Sequence, residues 1–248
     1  MAAKTISEEE VKRLKGLGFL NNKGTDCFSA RVITGNGRVT ADTLRALADA
    51  AETYGDGHAV FTTRLTVEIP GIAYEKIEPF MAAVEEQGLE HGGTGPKVRP
   101  VVCCKGSTCQ YGLIDTYSIS ERIHERFYKG YHSVILPHKF KIAVGGCPNN
   151  CVKPTLNDVG VMGWKGGCKV FLGGRWGKKY SIGQALPRIY DTGDELMELI
   201  EKVILFYKEN GKPGERFALT IDRMGFDNVA AALEGNDLLT RKEEILGK

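Results

Sequence analysis

Four cysteines constrain this chain more than any other feature. They come as two pairs, Cys103 with Cys109 and Cys147 with Cys151, reading C-x5-C, a gap of 37 residues, then C-x3-C. Each pair directly follows a run patterned like a strand. The flanking stretches "VVCCKGSTCQYG" and "AVGGCPNNCVKP" carry glycine, proline and asparagine, the residues of turns. Cysteines so placed are buried hydrophobes, disulfide partners or metal ligands. The start of the chain, "MAAKTISEEEVKRLKGLGF", is charged and helix-like and lacks the apolar core of a signal peptide. No run approaches about 18 uninterrupted apolar residues. The chain therefore reads as soluble and cytoplasmic with no membrane partner, and in that compartment thiols stay reduced. Seven cysteines, an odd number, also suit ligation better than full pairing.

The 248 residues, 42% of them hydrophobic, can build one large or two small cores, and a net charge of +2 gives no reason to expect nucleic acid. Residues 7–16 read as a short helix opened by Ser7. Residues 27–34 alternate as a strand, and 41–54 carry apolar positions at helical spacing before "GDG". "HAVFTT" and "LTVEIP" read as strands on either side of Arg64, "YEKIEPFMAAVEEQG" as a helix and "KVRPVVCC" as a strand. That order, β-α-β-β-α-β, is the ferredoxin-like split unit. Further on, 108–129 reads as a helix. "KFKIAVGG", "NDVGVMGW" and "CKVFLGG" read as strands. Leu196, Leu199, Ile200, Val203, Ile204 and Tyr207 stripe a final long helix. The expected class is α+β. A ferredoxin-like half, 1–95, with an amino-terminal helix precedes an α/β half, 96–248, that carries the cysteines.

The metal alternatives differ in size. Structural zinc sites usually use C-x2-C or C-x4-C knuckles. A 4Fe–4S cube spreads four thiolates around its corners and takes wider, less regular spacings. It also needs backbone N–H donors, which Gly145, Gly146 and the Pro148–Asn150 turn can present. A helix starting at Cys109 would bring a positive helix end to the anionic sulfur. Cluster, zinc and plain buried thiols all remain open on this chemistry. Cys104, Cys27 and Cys168 read as packing residues.

The cysteine pattern in its "GGCPNNC" setting resembles the sirohaem-binding signature of the sulfite and nitrite reductase family. "TTRLTVEI", "LPHKFKIAV" and "KVFLGGRWG" are similar to further motifs of that family, and the likeness covers roughly residues 25–225. The closest pattern is that of its short, single-copy assimilatory-type low-spin members and dissimilatory-type members. The resemblance implies a 4Fe–4S cluster on Cys103, Cys109, Cys147 and Cys151, with Cys151 bridging to the sirohaem iron. It implies substrate-binding cations at Arg64, Arg99, Lys139 and Lys141. Lys139 and Lys141, two apart, share one strand face opposite Phe140. Without the resemblance, each of the four reads as an ordinary exposed charge. Candidate sirohaem contacts are Arg31, Thr62, Thr63, Asn149, Asn150, Gly173, Gly174, Arg175 and Lys178, with Trp176 as a cover for the macrocycle. The two glycines would let backbone approach it closely. His138 is a candidate for proton delivery.

The implied activity is six-electron reduction of sulfite to sulfide, with nitrite to ammonia as the same chemistry on another oxyanion. A non-catalytic electron-transfer or sensor protein is the alternative. Neither a C-x2-C-x2-C-x3-C-P run nor a G-x-G-x-x-G after a strand is present. Electrons are therefore expected from an external donor such as a ferredoxin or another redox protein. Larger relatives join two copies of this half, so a single copy implies a homodimer, or a monomer whose own cations reach its own sirohaem.

Overall fold

The protein, seen in a computed structural model, is described over residues 6–247 and divides into two compact units between Gly95 and Pro96. The expectation for the start of the chain falls partly on residues 1–5, outside the described residues.

In the first unit, α1 (Glu8–Gly16) starts at Ser7, whose Oγ accepts from Glu10 N at 3.2 Å, with three glutamates in the first turn. Then come β1 (Phe19–Asn21), β2 (Cys27–Ile33) and α2 (Ala41–Tyr54). Helix α2 is capped by Thr40 Oγ1, which accepts from Thr43 N at 3.1 Å. The unit continues with β3 (Val60–Phe61), β4 (Val67–Ala73), α3 (Ile77–Glu86) and β5 (Glu90–His91). Strand β4 lies between β2 and β3. Strands β1 and β5 both pair with β2, and every pairing is antiparallel. Phe19, Phe28, Val32, Ile69, Ile72 and Phe80 fill the core with residues of all three helices, among them Leu14, Leu47 and Val84.

The split β-α-β-β-α-β unit is present, but its last strand is β5 and not "KVRPVVCC". Strand β5 pairs Glu90 and His91 with Ile33 and Val32. Positive φ at Gly92, Gly93 and Gly95 then turns the chain away from this sheet.

The second unit has its own sheet. It is built from β6 (Val102–Cys103), α4 (Thr116–Ile123), β7 (Ile142–Gly145), β8 (Val159–Trp164), β9 (Gly167–Leu172) and β10 (Gln184–Ala185). The order is β10-β9-β8-β7-β6, parallel across β6, β7 and β8 and antiparallel beyond. The helix expected over 108–129 is shorter. It starts at Thr116, where Asp115 caps it by accepting from Ser118 N at 3.2 Å, and passes into a π-helical turn over His124–Lys129. Residues 109–114 are held as a loop, with Leu113 N donating to Gly146 O at 2.8 Å. No helix dipole therefore starts at Cys109.

The long helix is α5 (Asp194–Asn210), but it is not the last. Helices α6 (Phe217–Met224), α7 (Phe226–Glu234), α8 (Asp237–Thr240) and α9 (Lys242–Gly247) follow it. They cover α5 on the side away from the expected stripe, so Met197, Glu201, Lys202, Leu205 and Phe206 are buried as well. Glu201 is the costly member of that set. Its carboxylate accepts from Tyr131 and Arg126 and from Lys242 Nζ at 2.8 Å. Burial raises its pKa, yet bonds from Lys242, Tyr131 and Arg126 outweigh burial and hold it below the usual carboxylate range. E201A is expected to destabilise the protein by about 2 kcal/mol at neutral pH, since it leaves the buried Tyr131 hydroxyl without its acceptor while the part-exposed Arg126 and Lys242 turn to water. In urea unfolding the gap to the parent should close only on acidification below the ordinary glutamate range, where Glu201 itself protonates.

Among the described residues, no helix is long and apolar enough to cross a membrane.

Candidate functional site

Strands β6 and β7 run parallel, with Cys103 opposite Val144, so both deliver their chains to the same edge of the sheet. The first cysteine loop leaves β6 there and the second leaves β7. Carboxyl ends of parallel strands are the usual place for a ligand in such sheets. The two loops touch through glycine. A Cβ on Gly146 would stand 2.8 Å from Gly106 Cα, and one on Gly163 only 2.2 Å from Gly146 O. Gly146 N donates to Cys104 Sγ at 3.2 Å, so Cys104 joins the loops rather than merely packing.

All seven cysteines are free thiols. Cys103 is buried, Cys109 and Cys147 half-buried and Cys151 exposed. Burial pushes the Cys103 thiol up to about 11, so the free side chain is protonated at neutral pH. Cys168 is different. It is buried in β9, its Sγ lies 3.6 Å from Tyr190 O, and burial pushes it up to about 12. Among the described residues, no three His, Cys, Asp or Glu side chains converge as around a single ion. A tetrahedral zinc site would need its sulfurs within about 4 Å of one another. A cube holds its thiolates further apart, and four cysteines on two loops at one sheet edge are a donor set of the kind it takes. Asn150, next to Cys151, has φ 56°, and its Oδ1 is buried with no hydrogen-bond partner. A strained backbone and an unmet amide beside a thiol are marks of a loop shaped for a ligand.

The cations lie at the other end of the same strands. Arg99 precedes β6, and its N–H donates to Phe140 O at 2.8 Å. Lys139 and Lys141 flank Phe140 just before β7; they are not within the strand itself. Phe140 is fully buried and stacks on Tyr207 with 5.5 Å between ring centroids. Both lysines are half-buried. Burial lowers the Lys139 pKa, and the charges of Arg216, Arg99 and Arg175 lower it further, against a smaller opposing pull from Asp158. His138 is depressed by burial and by Lys139, Arg216, Arg99 and Arg175. Its Nδ1 accepts from Lys139 N at 2.7 Å, which fits a neutral ring with its proton on Nε2. These groups therefore form one concentrated positive cluster.

Gly173 and Gly174, at the end of β9, reach the same edge. Gly173 has φ 81°. A Cβ on Gly174 would lie 2.4 Å from Thr155 O and 2.5 Å from Asn157 O. Its lack of a side chain thus serves packing inside the protein, a use the sequence reading did not foresee. Arg175 is half-buried, while Trp176 and Lys178 are exposed. Asn149 is exposed in the second cysteine loop.

Sequence reading missed Asp158 and Arg216. Asp158 is fully buried and takes two bonds from Arg216 Nη2, at 3.0 and 2.8 Å, and one from Lys141 N at 2.8 Å. The available signal was "NDVGV", an acid leading a run otherwise fit for a buried strand.

The remaining candidates lie in the first unit. Arg64 is half-buried in the β3–β4 turn. Thr62 shapes that turn, its Oγ1 accepting from Arg64 N at 3.2 Å and Thr66 N at 3.3 Å, while Thr63 is exposed. Arg31 is engaged within the unit, pairing with Glu68 and donating to Gly93 O at 3.1 Å.

Two family models match. The nitrite and sulphite reductase 4Fe-4S domain covers residues 94–239, and the nitrite/sulfite reductase ferredoxin-like half domain covers 21–87. An assimilatory-type sulfite reductase of Nitratidesulfovibrio vulgaris is 30% identical over 80% of this chain and 88% of its own length. An NAD(P)H nitrite reductase of Bacillus subtilis is 29% identical over 86% of this chain but only 25% of its own length. The structure of the Mycobacterium tuberculosis NirA protein superposes with a TM-score of 0.83 at 20% identity, covering 95% of this chain and 48% of that one. That likeness concerns the fold alone. The chain spans about half or less of the length of several curated relatives it matches.

Proposed function

The chain belongs to the nitrite and sulphite reductase family, and on that premise we propose that it reduces sulfite to sulfide at a sirohaem coupled to a 4Fe–4S cluster. The cluster would be held by Cys103, Cys109, Cys147 and Cys151. Electrons would come from an external low-potential donor. Together the two groups supply single electrons and an open iron to an oxyanion. The rest of the chemistry falls to the chain. Sulfite loses its oxygens as water, so it must be held as an anion and given protons. The carrying observation is the gathering of Arg99, Lys139, Lys141 and Arg175 at one edge of the sheet, where burial, and then the charges of Arg216, Arg99 and Arg175, lower the Lys139 pKa. Such cations neutralise an oxyanion, and a lysine with a lowered pKa gives up its proton more readily. Electron transfer alone would need no such cluster. Arg64 is assigned to the same task from the "TTRL" motif.

Sulfite is preferred because the Nitratidesulfovibrio enzyme, named for it, matches over 88% of its length. Nitrite to ammonia is the second reading, favoured by the match to the Bacillus enzyme over 86% of this chain.

The anaerobically purified protein should show an isobacteriochlorin spectrum that shifts with sulfite under a strong low-potential reductant. Sulfide and ammonia assays then decide between the two anions. A broad iron–sulfur absorbance that adding sirohaem does not change would remove the reductase reading. The double variant R99A/K141A should keep the spectrum and lose turnover. Unchanged kinetics there would refute the cation assignment.

The separation of cations and cysteines supports a homodimer. Lys141 precedes β7 and Cys147 follows it, six residues on, with the four strand residues and Gly146 between them, or roughly 20 Å of extended chain. Within one chain, the two sets stand at opposite ends of the same strands. A second copy would bring one set to the other at an isologous interface.

A further inference from the structure

We infer that Asp158 and Arg216 are positioning residues for the anion pocket: their buried pair fixes the backbone of Lys141 and the turn at Gly173 against each other. The inference rests on the reading that the cation cluster binds sulfite or nitrite.

Three connections meet at Asp158. Its carboxylate accepts from Lys141 N, and its backbone carbonyl accepts from Gly173 N at 3.0 Å. Its carboxylate also takes both bonds from Arg216. One residue therefore ties the segment of the two lysines to the glycine turn that precedes Arg175. Arg216 comes from further along the chain, at the start of α6, where Phe217 packs on Phe140 with centroids 5.6 Å apart. The same aromatic contact backs the residue between the two lysines. The pair thus couples α6, β8 and the loops before β7 and after β9.

A buried ion pair is a poor choice for stability alone, because apolar residues of equal volume usually serve as well or better. This one is also incompletely satisfied. Arg216 uses only Nη2 toward Asp158, and its Nε is buried with no hydrogen-bond partner. An unmet donor on a buried guanidinium is costly. Retention of such a pair beside a cation cluster points to geometry and field. The carboxylate fixes Lys141, and the guanidinium adds positive potential at Lys139 and His138.

The test uses the cofactor-loaded protein and two variants, R216K and D158N. R216K keeps the charge but loses the planar donor. D158N keeps the shape but loses the charge. Hydrogen exchange by mass spectrometry reads the peptides around Lys141 and Gly173, with Val161 in β8 as the internal control. Spectral titration with sulfite and with nitrite reads anion affinity, and iron content reads loading. R216K is expected to load like the parent. It should exchange faster at Lys141 and Gly173 but not at Val161, and weaken anion binding about tenfold, the scale on which outer partners of a ligand set act. D158N should move the same readouts in the same direction.

Faster exchange with unchanged anion affinity in both variants would make the pair merely structural and overturn the inference. Weaker anion binding with unaltered protection at Lys141 and Gly173 would also overturn it, since Arg216 would then act on the anion directly. A loaded parent protein that answers to neither anion would instead refute the functional reading, and this inference would fall with it.

Discussion

C147S is expected to purify without its 4Fe–4S cluster and with reductase turnover at background. Serine preserves the size of the side chain but not its chemistry. Its hydroxyl is not deprotonated at neutral pH, and oxygen is a poor partner for a site selected by soft thiolates. Cys147 sits where the second loop leaves β7, and that loop is pinned by Gly146 to Cys104, Leu113 and Gly163. The loop should hold its place without the metal, so the variant should remain folded and the loss should be specific. Two controls make it so. C168S alters a thiol buried in β9 that contacts only protein, and it should lower stability while leaving iron and acid-labile sulfide at parental levels. C104S keeps an acceptor for Gly146 N, and its cluster content should fall between the two. Iron and sulfide analysis, with the visible spectrum, reads all three. Full iron content in C147S would remove that residue from the ligand set.

The contrast among these cysteines was partly legible in the sequence. Spacing and the surrounding glycines separated the four ligand candidates from Cys168. They did not reveal the role of Cys104, because the bond from Gly146 N joins loops 42 residues apart. The helices of the first unit and its strands β2, β3 and β4, though not the short β1, were read, since Ser7, the alternation over 27–34 and the helical spacing over 41–54 act locally. Its last strand was misread because "KVRPVVCC" has the composition of a strand and does pair, but in the other sheet. Only the run of positive-φ glycines after His91 decides that. The helix over 108–129 failed for a related reason. Residues 109–114 hold one breaker, Gly112, whose backbone lies too close to Gly106 O for any Cβ, and the tie from Leu113 N to Gly146 O keeps the stretch out of a helix. The candidate substrate cations came from motif resemblance and could not have come from periodicity. Asp158 and Arg216 escaped, since the acid leading "NDVGV" hinted at a buried charge but nothing local named a partner 58 residues on.

The arrangement along β6 and β7 leads to the second large effect, complementation between two inactive chains. In the dimer proposed above, each site takes its cations from one copy and its cysteines from the other. K139A/K141A should lose about 10²–10³ in turnover, the scale for removing charge stabilisation at a reacting oxyanion. C147S should lose all of it. Dissociated, mixed one to one and reassociated, half of the dimers would pair one variant with the other. In such a dimer one site carries both defects and the other carries neither. The mixture should therefore recover about a quarter of parental turnover, with cluster content near half. Differently tagged chains, co-expressed and purified through both tags, would raise the recovery to about half by excluding the homodimers. The physical basis is the direction of two parallel strands. Arg99 and Cys103 lie at opposite ends of one extended stretch, Lys141 and Cys147 at opposite ends of the next, and the register between β6 and β7 keeps like ends together. No rotation of side chains can reverse that order. Doubly tagged heterodimers that stay inactive while carrying half the iron would show that each chain serves its own site, and the shared-site proposal would fail.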